Sequence, residues 1–106
     1  MRKQSEPTKN RLNRHIRIEG NYVYAHAKEN GEIFYIGKGK FFRGWSVSKR
    51  RDIWYKITRT NKWYVVVLAD KLTEQQANAE ELEVIAHFAK FNKLVNHVGI
   101  VKWTKN

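Results

Sequence analysis

The stretch Asn21-Tyr22-Val23-Tyr24-Ala25-His26-Ala27-Lys28-Glu29-Asn30-Gly31-Glu32-Ile33-Phe34-Tyr35-Ile36-Gly37-Lys38 decides how this chain is to be read. Two runs rich in aromatic and β-branched residues flank an Asn-Gly pair, which favours a two-residue turn because both central positions need positive φ. A β-hairpin is therefore expected. With Asn30 and Gly31 as its loop, His26 falls opposite Tyr35 and Tyr24 opposite Gly37. Side chains alternate across a strand, so Tyr22, Tyr24, His26 and Tyr35 share one face while Val23, Ala25, Phe34 and Ile36 take the other. Gly37 has no side chain, and its place opposite Tyr24 predicts room for a ligand to approach the Tyr24 hydroxyl.

Downstream, residues 38–51 hold Lys38, Lys40, Arg43, Lys49, Arg50 and Arg51 without one acid, interleaved with Phe41, Phe42 and Trp45. The apolar positions Phe42, Trp45, Ile53, Trp54 and Ile57 predict an irregular helix ending near Thr58, with Gly44 as its weak point. Trp63-Tyr64-Val65-Val66-Val67-Leu68-Ala69 is short, apolar and β-branched, the pattern of a buried central strand. Thr73 with Gln76 three residues on forms a capping box, which opens a helix reaching about Ala89. Residues 93–99 return to an extended form. The expected fold is α+β: a three-stranded antiparallel sheet, made of the hairpin plus a central strand, flanked by helices in the order β-β-α-β-α.

The chain has 106 residues, enough for one hydrophobic core. Residues 1–19, with Arg2, Lys3, Lys9, Arg11, Arg14 and Arg17 opposed by Glu6 and Glu19, are expected to be a basic arm, either a solvated tail or one lying along nucleic-acid phosphates, and residues 20–106 the folded domain. The composition is 42% hydrophobic and 13% aromatic, with a mean hydropathy of −0.71, which describes a small core under much polar surface. A net charge of +11, from 21 Lys and Arg against 10 Asp and Glu, makes nucleic acid the first partner to consider. Membrane binding is not expected, since there is neither a basic amphipathic helix nor a lipid signal. The basic N-terminus lacks an apolar segment behind it, so a cytoplasmic location is expected. With no cysteine, any metal must sit on oxygen or imidazole ligands.

One carboxylate is out of place. Projected as a helix, residues 73–89 put Ala77, Leu82, Ile85, Phe88 and Ala89 on one stripe and Glu80, Glu83, His87 and Lys90 opposite. Glu81 falls within the apolar stripe, between Ala77 and Ile85. An ionised carboxylate facing a core costs several kcal/mol without a compensating cation. Either a basic side chain pairs with Glu81 or a metal does.

These residues resemble the GIY-YIG nuclease superfamily, in the version common among small phage-like members. Tyr22-Val23-Tyr24 stands where the first motif would be, with Tyr22 replacing its glycine, and Tyr35-Ile36-Gly37 matches the second. Arg43 follows in Gly37-Lys38-Gly39-Lys40-Phe41-Phe42-Arg43. The helix around Ala77, Glu81 and Ile85 is similar to the family's glutamate helix, and Leu94-Val95-Asn96 matches its closing asparagine. Many relatives carry a histidine four residues after the arginine, where this chain has Val47. The similarity spans residues 21–99.

The resemblance implies a Mg²⁺-dependent (or Mn²⁺-dependent) endonuclease with Tyr24, Tyr35, Arg43 and Glu81 gathered on one scissile phosphate. Glu81 would hold the metal, which keeps most of its waters. Arg43 would grip the phosphate through its planar fork. Tyr24 would take a proton from water, which requires its pKa to fall below about 10, and Tyr35 would orient that water. Lys38, Lys40, Lys49, Arg50 and Arg51 would bind nucleic acid, DNA before RNA. His26 could stand in for the missing histidine, Gly37 supports the site, and Asn96 would tie down the last helix or the catalytic loop. His15, His87 and His97 have no sequence partner that would make them ligands. The rival is a catalytically silent nucleic-acid-binding module of the same fold. A scaffold role in a larger assembly, a protein partner and homo-oligomerisation stay open, and the cell would be bacterial, with or without phage.

Overall fold

The hairpin closes on three residues instead of two. Gly31 lies at φ +95°, whereas Asn30 stays outside the left-handed region. The Gly31 N–H donates to the Lys28 carbonyl at 2.8 Å and the Lys28 N–H to the Glu32 carbonyl at 2.9 Å. A glycine with positive φ after two ordinary turn residues is the usual three-residue solution. The Asn30 side chain stabilises it by accepting from the Glu32 N–H at 2.9 Å. The extra loop residue is then absorbed by an irregularity between His26 and Ala27, where Ala27 faces Ile33 and His26 faces Tyr35. Beyond it the ladder runs with Tyr24 opposite Gly37, as the sequence predicted. The offset turns Phe34 onto the tyrosine face, where its ring lies 6.1 Å from that of His26.

The computed structural model describes residues 19–96, so most of the basic arm, His15, His97 and residues 97–99 of the tail lie outside the described residues. The strands are β1 (Asn21–Lys28), β2 (Ile33–Gly39) and β3 (Trp63–Leu72), and the helices are α1 (Asp52–Thr60) and α2 (Glu74–Phe88). Among the described residues, no helix is long and apolar enough to cross a membrane.

All three strands are antiparallel, in the order β2-β1-β3. The central strand is thus β1, not β3. Every residue from Tyr22 to Ala27 is fully buried, whereas β3 leaves Leu68 37% exposed. The apolar run 63–69 suggested the opposite, but a strand can be buried on both faces through aromatic rings whose polar atoms find partners. A single 3-10 turn at Arg43–Trp45 and an irregular segment replace the first half of the expected helix, and α1 starts only at Asp52. Gly44, Ser46 and Ser48 are poor helix formers, which accounts for the late start.

The sheet separates two cores. On one face Tyr22, Tyr24, Phe34, Trp45, Trp54, Trp63 and Val65 pack together under α1 and the loop before it. On the other, Val23, Ala25 and Ile36 meet Ala77 and Ile85 of α2. The buried stripe of α2 includes Val84 and Phe88, while Leu82 is 59% exposed and Ala89 is also exposed. That rotation brings Glu81 to the middle of the stripe.

The predicted capping box is present. The Thr73 hydroxyl accepts from the Gln76 N–H at 3.0 Å, and the Gln76 side chain accepts from the Thr73 N–H at 2.9 Å. Thr73→Ala is expected to cost about 1 kcal/mol and to lower the melting temperature by roughly 5 °C. Thermal unfolding by circular dichroism measures this, and an unchanged midpoint would show that packing alone holds the helix end.

Candidate functional site

Tyr24 is the centre of the aromatic face. Its hydroxyl lies over Gly37: a Cβ there would come within 2.5 Å of the Tyr24 oxygen, 2.6 Å of Cζ and 2.9 Å of Tyr35 Cε2. The space expected for a ligand is filled by the Tyr24 ring itself. Its neighbours are Tyr35, with centroids 6.2 Å apart, and His26, at 5.1 Å. Tyr35 is half-buried, and its hydroxyl makes no hydrogen bond among the described residues.

Arg50 completes this cluster. Lys49, at φ +56°, turns the chain back on itself, and the Arg50 guanidinium comes to rest 5.8, 5.2 and 5.5 Å from the ring centroids of Tyr24, Tyr35 and Trp54. One Nη donates to the Tyr24 hydroxyl at 3.0 Å. The other donates to the carbonyls of Arg43 at 2.8 Å and Ser46 at 2.9 Å, and Nε reaches Ser46 at 3.1 Å. A guanidinium so engaged is a brace with little capacity left for a phosphate. Sequence reasoning placed Arg50 among the nucleic-acid contacts and gave no sign that it would turn inward.

Arg43 is held more loosely. It packs against Gly39, where a Cβ would meet its side chain at 2.6 Å. Its guanidinium donates to the Ser48 carbonyl at 3.0 Å, with longer bonds of 3.4 Å to the Ser46 hydroxyl and the Lys49 carbonyl. Of the two arginines beside the tyrosines, Arg43 is therefore the one that can exchange its partners for a phosphate. Lys38, Lys40, Lys49 and Arg51 are exposed.

His26 does not have the freedom to replace the missing histidine. It is fully buried; Trp54 Nε1 donates to its Nδ1 at 2.9 Å. That leaves the proton on Nε2, which donates to the Gly44 carbonyl at 2.7 Å. Burial, and then the charge of Arg50, push its pKa down to about 3, so the ring is neutral and both nitrogens are engaged. Tyr22, in place of the motif glycine, has gained a structural task. Its hydroxyl donates to the Phe41 carbonyl at 2.6 Å and accepts from the Gly44 N–H at 2.8 Å, which pins the loop to the sheet.

Burial also pushes the Tyr24 hydroxyl up to about 12, with the Arg50 guanidinium opposing only part of the effect. The direction is the reverse of what a phenolate base requires. At neutral pH the Tyr24 hydroxyl keeps its proton, and in the structure it accepts from Arg50.

Glu81 is on the other side of the sheet. It is half-buried between Ala77 and Ile85, and burial raises its pKa while the Lys38 ammonium lowers it. Among the described residues no salt bridge reaches it. Tyr24, Tyr35 and Arg43 lie together on the aromatic face, while α2, which carries Glu81, packs on the aliphatic face with the Lys38 ammonium within electrostatic reach. Among the described residues no three His, Asp or Glu side chains form a metal-binding group. A divalent ion held by Glu81 would take the rest of its ligands from water, a donor set that Mg²⁺ accepts.

Asn96 is buried and pairs with β2, not with the last helix or with the loop expected to be catalytic. Its Oδ1 accepts from the Ile36 N–H at 3.0 Å and its Nδ2 donates to the Ile36 carbonyl at 2.6 Å. With the Val95 N–H on the Phe34 carbonyl at 2.8 Å, the segment satisfies the outer edge of β2 beside Gly37. Compared with protein-family models, curated proteins and solved structures, the chain finds no match.

Proposed function

We propose that this chain is a GIY-YIG-type endonuclease that hydrolyses phosphodiester bonds in nucleic acid, DNA in preference to RNA, with one Mg²⁺ or Mn²⁺ ion. The observation that carries this reading is the register of the hairpin. It sets the Tyr24 hydroxyl across Gly37 with Tyr35 beside it, so the two motif tyrosines share one face next to Arg43. The order of elements, with the glutamate helix after the third strand and an asparagine closing on the second, supports the same assignment.

In this reading Arg43 gives up its carbonyl partners to grip a phosphate, and exposed Lys38 and Lys40 supply positive potential at the edge of β2. Tyr24, protonated at neutral pH, donates a hydrogen bond, and Tyr35 offers its unbonded hydroxyl to orient a water or a phosphoryl oxygen. Arg50 and His26 act as positioning residues that fix the tyrosine rings. Glu81 is the carboxylate that would hold the ion, which would supply positive charge and lower the pKa of its bound waters.

A silent nucleic-acid-binding module is the second reading, favoured by the raised Tyr24 pKa, which opposes a phenolate base. Supercoiled plasmid, single-stranded DNA and RNA, each titrated with Mg²⁺ and Mn²⁺, distinguish the two. Nicked or linear products that disappear in EDTA are expected. Salt-sensitive binding without cleavage in any metal would establish the silent module, and a protein that neither binds nor cleaves would overturn both.

A further inference from the structure

The loop after β2 leaves two rings largely open to solvent. Phe41 is 74% exposed and Phe42 53% exposed. Phe41 also sits at φ +54°, a left-handed conformation in which a bulky residue is strained and a glycine would not be. The strain is held in place from below, because the Tyr22 hydroxyl binds the Phe41 carbonyl and the Gly44 N–H together. Phe42 is braced edge-on against Trp45 at 6.4 Å and 78°, and Trp45 rests against Tyr22 at 6.1 Å. The turn is therefore fixed to the core while both rings face outward. Exposed Lys38 and Lys40 precede them, and no acid occurs in residues 38–51.

We propose that Phe41 and Phe42 form a stacking platform for unpaired nucleobases, so that the protein selects single-stranded or locally opened nucleic acid over intact duplex. This rests on the nucleic-acid reading above and adds a substrate class to it. Exposed aromatic rings flanked by cations match the two parts of such a ligand: the lysines take the phosphates, and the rings take the base faces. Intact duplex keeps its base faces stacked inside and offers the rings nothing to cover. A fixed platform suits this task, since little side-chain or backbone freedom is lost on binding.

The test uses the full chain in EDTA with 2-aminopurine oligonucleotides: a single strand, a duplex containing a single-stranded gap, and an intact duplex. The wild type is expected to quench the fluorophore in the first two and to bind them more tightly than the third. Phe41→Gly, which relieves the strained φ, is expected to melt at the same or a higher temperature. It should lose roughly tenfold in affinity for the single strand and the gap, with less than a twofold change for the intact duplex. Phe42→Ala should act in the same direction. Variants that bind all three DNAs as the wild type does would overturn the platform while leaving nucleic-acid binding intact. Equal losses on every DNA would reduce the rings to a general contact and also overturn it. Tight binding to phosphatidylserine vesicles that Phe41→Gly removes, with DNA affinity unchanged, would assign the rings to a membrane instead. A wild type that binds none of the oligonucleotides would overturn the nucleic-acid reading itself and this inference with it.

Discussion

Replacing His26 with alanine is expected to leave a chain that no longer folds cooperatively at room temperature. The imidazole stands amid five aromatic rings, with centroids 4.8 Å from Trp63, 5.1 Å from Tyr24, 5.2 Å from Tyr35, 5.7 Å from Trp54 and 6.1 Å from Phe34. Removing a buried ring of this kind costs about 3–5 kcal/mol through lost contacts and the cavity left behind. It also orphans Trp54 Nε1 and the Gly44 carbonyl, at about 1–3 kcal/mol each. The total is comparable with the whole stability of a small domain, about 5–15 kcal/mol. His26→Leu fills most of the volume and orphans the same two groups, so it should fold with an intermediate loss. Urea unfolding followed by near-ultraviolet circular dichroism measures both. An alanine variant with a midpoint close to the wild type would show that the rings repack without the imidazole.

The same residue gives the fold a pH dependence. His26 has a pKa of about 3 in the folded chain, against an ordinary value of 6.5. Between those values the unfolded chain binds a proton that the folded chain excludes. The contribution is therefore complete above pH 6.5 and is lost on acidification, at roughly one to two kcal/mol per pH unit. His26→Leu should lack this part of the acid sensitivity.

Local chemistry made some features legible and long-range geometry hid others. Tyr24 opposite Gly37 followed from strand alternation and a turn signal, and it survived although the turn has three residues, because the irregularity at Ala27 restores the pairing. The Thr73 cap needed only four residues, and the inward phase of Glu81 only helical periodicity. Arg50 was not legible. In the run Lys49-Arg50-Arg51 all three residues are cationic, and what selects the middle one is the positive φ of Lys49, which composition does not encode. Strand order was hidden for a related reason: the buried strand carries phenols and an imidazole whose partners lie at Phe41, Gly44, Arg50 and Trp54. Polarity misleads wherever satisfaction is long-range.

Glu81→Gln is expected to abolish metal-dependent cleavage, by on the order of a thousandfold, without loss of fold or of DNA binding in EDTA. The two halves of this expectation have one origin. A carboxylate whose folded pKa is raised binds its proton more tightly in the folded chain, so above its ordinary pKa of about 4.5 the ionised form costs stability. That cost is full at neutral pH and absent in acid, and the neutral amide removes it, so the variant should melt at or above the wild-type temperature. A glutamate retained only to pair with Lys38 would behave in the opposite way, because losing a useful ion pair lowers stability. Metal supplies a third readout. Mg²⁺ should raise the melting temperature of the wild type and not that of Glu81→Gln, since a ligand stabilises only the state that binds it. Cleavage within tenfold of wild type, or a Mg²⁺ shift that survives the substitution, would remove Glu81 from the metal site. The nuclease reading would then need a different carboxylate.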